Sequence, residues 1–69
     1  MILIFNSYYD KRTNVQNDVS LIEDGDFLFV CRRKNFVLEE NIMFVKDDEA
    51  NACRAFEKLE RKYIPNQEF

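Results

Sequence analysis

The chain has 69 residues, 46% of them hydrophobic, with seven Phe, three Tyr, one Gly, one Pro and a formal charge of -3. A chain this short buries only about 60% of its unfolded surface, so it is read as a single domain over 1–69 whose core rests on a few aromatics. The acidic balance argues against a dedicated nucleic-acid binder, which needs a basic excess to release phosphate counterions.

Met1 leads into Ile2-Leu3-Ile4-Phe5 without the basic start and small-residue cleavage site of a signal peptide. No apolar run nears the ~20 residues of a membrane span. A cytoplasmic location with no membrane association is the expectation.

Ile2 to Tyr9, rich in β-branched and aromatic residues, reads as a first strand. Asp10 to Asp18 is polar except for Val15 and lacks periodicity, so it reads as the longest loop. Val19 to Glu23 reads as a short strand, and Asp24-Gly25 is the strongest hairpin signal in the chain. Asp26 to Arg33 then alternates Phe27, Phe29 and Cys31 with Leu28 and Val30, as the return strand of that hairpin.

A second reversal is expected near Lys34-Asn35, because Phe36-Val37-Leu38 resumes strand composition. Glu39-Glu40-Asn41 interrupts that run before Ile42-Met43-Phe44-Val45, which is either a fresh strand or the same one carried across a bulge. From Asp47 the period changes: Ala52, Phe56, Leu59 and Tyr63 recur at spacings of 4, 3 and 4 and share one side of an α-helix, opposite Arg54, Glu57, Lys58 and Arg61. Asp47 or Asp48 suits the N-cap, Glu49 the positive end of the helix dipole and Arg61-Lys62 the negative end. Pro65 disfavours helical geometry at Ile64 and so stops the helix. The predicted class is α+β: an antiparallel meander of three to five strands with one C-terminal amphipathic helix on one face.

Histidine is absent, which removes the usual general base near neutral pH and the commonest zinc ligand. Cys31 and Cys53 alone cannot close a four-ligand zinc site, and they read as buried free thiols in a reducing compartment. One glycine cannot build a phosphate-binding loop. Glu39 and Glu40 are adjacent on a strand, point to opposite faces and are poorly placed to share a proton. No catalytic residue, metal or cofactor is assigned, and a non-enzyme is expected.

Surface chemistry is what remains. Glu23, Asp24, Asp26, Glu39, Glu40, Asp47, Asp48 and Glu49 form an acidic stretch that would meet a basic partner or mimic nucleic-acid phosphates. Local turn and helix-start preferences account for the same residues without any partner. Arg32-Arg33-Lys34 at an expected hairpin tip, with Lys11-Arg12 beside Tyr8 and Tyr9, form a basic and aromatic alternative suited to single-stranded nucleic acid. Tyr8 and Tyr9 must face opposite sides of their strand, so one joins the core and the other serves as an interface anchor. The tail from Ile64 to Phe69 ends in an aromatic that docks on its own domain or on a partner. By elimination the expected function is a non-catalytic protein-binding module, a small inhibitor or regulator of a larger protein of the viral or mobile-element type. A homodimer is expected to cover an open sheet edge or face. The alternatives are a weak nucleic-acid binder using the basic tips, or an acidic nucleic-acid mimic.

Overall fold

The computed structural model describes residues 1–65. Four strands, β1 (Ile2–Asp10), β2 (Val15–Asp24), β3 (Phe27–Lys34) and β4 (Val37–Val45), form one sheet in the order β1-β2-β3-β4. Each pairs antiparallel with the next. A short 3-10 turn (Lys46–Asp48) leads into α1 (Glu49–Tyr63), so the chain folds as the expected α+β meander with one C-terminal helix. Among the described residues no helix is long and apolar enough to cross a membrane.

The hairpins are set by backbone handedness. Asp24 pairs with Phe27, so the first tight turn is Gly25-Asp26, one residue later than the Asp24-Gly25 signal suggests. Gly25 has φ +60, a left-handed value that costs a glycine little. Lys34 pairs with Val37 across Asn35 (φ 50) and Phe36 (φ 70), a two-residue turn with both residues left-handed. This geometry matches the right-handed twist of the flanking strands. Phe36 therefore belongs to the turn, not to the strand its composition suggests. Asn35 holds the turn in place: its side-chain oxygen accepts from the Gln16 N–H at 2.9 Å, and its own N–H donates to the Gln16 carbonyl at 2.8 Å.

The long loop expected over Asp10–Asp18 is not formed. Only residues 11–14 turn, and β2 begins at Val15. Gln16, Asn17 and Asp18 hide the strand because their side chains are polar on both faces, yet each finds partners inside the sheet. Gln16 and Ser7 donate to Asp18 at 3.1 and 2.6 Å, while Asn17 accepts from Arg32 at 2.9 Å. β4 runs unbroken through Glu39-Glu40-Asn41. Leu38 pairs with Arg33 and Glu40 with Arg32, leaving Glu39 as the extra residue of a bulge.

Helix α1 lies over β2 and β3 and reaches β4. Val19, Leu21, Leu28 and Val30 meet Ala52, Phe56 and Leu59, and Ile64 closes the end. Tyr8 and Tyr63 pack partly buried against this cluster. The helix stops as expected, with Ile64 extended (φ -115, ψ 93) and its N–H donating to the Glu60 carbonyl. Asp48 stands at the N-cap, but its carboxylate accepts from the Asn51 side chain at 2.8 Å instead of capping the backbone.

Candidate protein-interaction surface

One helix covers one face of the sheet, and the strand registers lay out the other face as cross-strand rows. Ile2, Ile22, Phe29 and Met43 form a row that is apolar across all four strands. Asp24, Phe27 and Val45 lie on the Gly25 side of it. On the other side come Phe5, Ser20, Cys31 and Asn41, then Ser7, Asp18, Arg33 and Leu38, and finally Tyr9 with Gln16. Phe5 is 55% exposed and Met43 58% exposed. A contiguous patch of this kind marks an association site more often than scattered surface hydrophobics do.

The polar rows are organised. Asp18 is buried although it faces away from the helix, because Ser7 and Gln16 fold over it. Arg33 stands directly opposite Asp18 across β2 and β3, yet its guanidinium forms neither a hydrogen bond nor an ion pair with the described residues. Cys31 is buried between them and the apolar row, its thiol within 3.4 Å of the Asn41 side-chain oxygen. Burial pushes the Cys31 pKa up, and the nearby Arg33 charge only partly opposes this, so the thiol is a poor nucleophile.

The eight carboxylates divide between the two ends of the sheet. Glu23, Asp24, Asp26, Asp47, Asp48 and Glu49 gather at the Gly25 end, where the Lys46 N–H donates to the Asp26 carbonyl and the Lys46 ammonium pairs with Glu23. The side-chain hydrogen bond and the charge attraction between Glu23 and Lys46 hold the Glu23 pKa down and raise that of Lys46. Glu39 and Glu40 belong to the opposite half of β4, at its bulge. Among the described residues no three His, Cys, Asp or Glu side chains are grouped so as to hold a metal ion.

The basic and aromatic set divides between the two faces. Arg32, Arg33 and Lys34 lie within β3, not at the hairpin tip, which is Asn35-Phe36. Tyr9 and Arg33 look out from the uncovered face, whereas Tyr8, Arg32 and Lys34 are on the helix side. Arg32 is buried. Its Nε donates to Glu40 at 2.6 Å, Nη1 donates to Asn17 at 2.9 Å, and the guanidinium lies 4.0 Å from the Tyr63 ring centroid. These bonds make it a structural cation. Lys34 lines a cleft of about 380 Å³ with Thr13, Val15, Asn17 and Tyr63, adjoining a second one lined by Tyr8, Asp10 and Lys62. Lys11 and Arg12 occupy the β1–β2 turn at the same end.

Sequence reasoning located the charges but missed the apolar row. Its signal was present in β3, where Phe27 and Phe29 on one face accompany Leu28 and Val30 on the other, although only one helix exists to cover them. The docking proposed for the tail involves Asn66, Gln67, Glu68 and Phe69, which lie outside the described residues. Compared with known proteins, the chain matches no family model, no curated protein and no solved structure.

Proposed function

We propose that the chain is a non-catalytic protein-binding module, a small inhibitor or regulator of a larger protein. The observation that carries this reading is the uncovered sheet face, with a four-strand apolar row flanked by Phe5, Phe27 and Val45 and rimmed at one end by the carboxylates around Gly25. Burying such a row removes apolar surface from water at roughly 25 cal/mol per Å². The acidic rim favours a partner whose edge is basic. The test is affinity capture with the wild-type chain, Phe5→Glu and the double variant Asp24→Lys/Asp26→Lys. A partner recovered by the wild type, lost with Phe5→Glu and weakened by the lysine pair is the expected result. Recovery unaffected by either change removes the reading.

A second reading, weak binding of single-stranded nucleic acid, draws support from the adjoining clefts, where Lys34 and Lys62 accompany Tyr8 and Tyr63. The cations there are placed to meet phosphates, while the Tyr63 ring already carries the Arg32 guanidinium. Oligonucleotide binding that falls steeply with salt and drops with Lys34→Ala/Lys62→Ala would support it. No binding at low salt would end it.

A further inference from the structure

We infer that in the free protein the uncovered face is occupied by a second copy of this chain, packed sheet on sheet about a two-fold axis parallel to the strands and running between β2 and β3. The inference rests on the reading above that this face binds protein, and it names the occupant.

The argument is one of symmetry. An axis along the strands keeps each row in register with itself and reverses its order, so Ile2-Ile22-Phe29-Met43 covers Met43-Phe29-Ile22-Ile2 of the second copy. The apolar row thus meets the apolar row, and each mixed row meets its own reverse, with Phe5 over Asn41 and Leu38 over Ser7. An axis centred on the face but running across the strands would lay the apolar rows on the polar ones. In the row Ser7-Asp18-Arg33-Leu38 the same reversal sets Asp18 over Arg33 of the second copy, and Arg33 over its Asp18. Within one chain those two side chains form no ion pair although they are directly opposite: Asp18 is held under Ser7 and Gln16, which carry no charge, and Arg33 of the second copy brings the opposite sign to that place. Ser20 and Cys31, both small, occupy the middle of the face and let the sheets approach to the ~10 Å of a sandwich.

The size is adequate. Four strands of eight to ten residues make a face about 30 Å by about 19 Å. With the relief of side chains as exposed as Phe5 and Met43, that is on the order of the ~800 Å² per partner of a standard interface. The single chain is also a thin plate, 40 × 27 × 16 Å, whose open side is its broad one. Asp24 lies at the border of the paired face, whereas Asp26, Asp47 and Asp48 lie in the turns at the end of the sandwich and stay available to a larger partner.

The experiment is sedimentation equilibrium on the purified full chain and four variants, with circular dichroism to confirm folding. Phe5→Glu and Met43→Glu place a charge at the two edges of the face, Arg33→Glu breaks the charge pair, and Val37→Glu is a control on the exposed helix side. The expected result is twice the 8.3 kDa chain mass for the wild type and Val37→Glu, and the single mass for Phe5→Glu and Met43→Glu. Self-association should weaken about tenfold in Arg33→Glu. A folded wild type of single mass overturns the inference, as does a double mass that survives both edge substitutions. Capture of a larger partner that depends on Phe5 by a chain of single mass would discard the second copy and leave the protein-binding reading standing. A dimer that captures nothing would do the reverse.

Discussion

Phe36 is a bulky residue held at φ 70 and 73% exposed at the tip of the β3–β4 hairpin, so its side chain gains little from packing while its backbone carries left-handed strain. Replacing it with glycine should stabilise the fold by about 1 kcal/mol, read as a higher urea midpoint with an unchanged slope. Arg32 presents the opposite balance. Removing it strands Glu40 and Asn17 and uncovers the Tyr63 ring. Glu40 keeps partial contact with water, so Arg32→Ala should cost about 2–3 kcal/mol. Arg32→Lys, which keeps the charge but loses the fork, should fall between that variant and the wild type on the same urea curve. Residue types at these positions were plain in the sequence, but their roles were not, because a cation in a β-strand is written the same way whether its neighbour is water or a carboxylate.

At the scale of elements, α1 is fastened to the sheet by Phe56, buried among Val19, Leu21, Leu28 and Val30. Phe56→Ala should cost about 3–5 kcal/mol in a domain whose total is on the order of 3–10 kcal/mol. Urea unfolding followed by far-UV circular dichroism should therefore show that variant losing roughly a third or more of the wild-type stability. The Glu23–Lys46 pair ties the end of β2 to the start of the 3-10 turn. Because the folded Glu23 pKa lies below its ordinary value of 4.5, its contribution is present above that value and is lost as pH falls through the depressed one. Lys46, raised above its ordinary 10.5, contributes below that value and loses its contribution as pH rises through the raised one. Glu23→Gln should flatten the acid limb of a stability-versus-pH curve near and below pH 4.5, and Lys46→Met the alkaline limb near and above pH 10.5. The helix was legible from Ala52, Phe56, Leu59 and Tyr63 because its period is set by one buried side. The early part of β2 was not legible, since Gln16, Asn17 and Asp18 carry no apolar alternation and their pairing depends on Ser7 and Arg32, which lie elsewhere in the chain.

At the scale of the molecule, a single helix shields one face of the four-stranded sheet and leaves the other open, with its apolar row exposed at both edges. A chain cut after Asp47 would lose that cover and present Val19, Leu21, Leu28 and Val30 as well. It should associate non-specifically, seen as rising light scattering with concentration, because a sheet with two open apolar faces has no soluble arrangement of its own. The sequence by itself determined the class of the fold, the helix and its stop at Pro65, the existence of two tight hairpins and the shortage of groups for histidine, thiolate-zinc and phosphate-loop chemistry. Each of these follows from local spacing or from composition. Only the tertiary structure decided that Arg32 is a buried partner of Glu40, that six of the eight carboxylates share one end, and that Ile2, Ile22, Phe29 and Met43 align in one row. Those facts depend on strand register, which is fixed by turn geometry and long-range pairing, and a shift of one residue would have sent each strand's side chains to the other face.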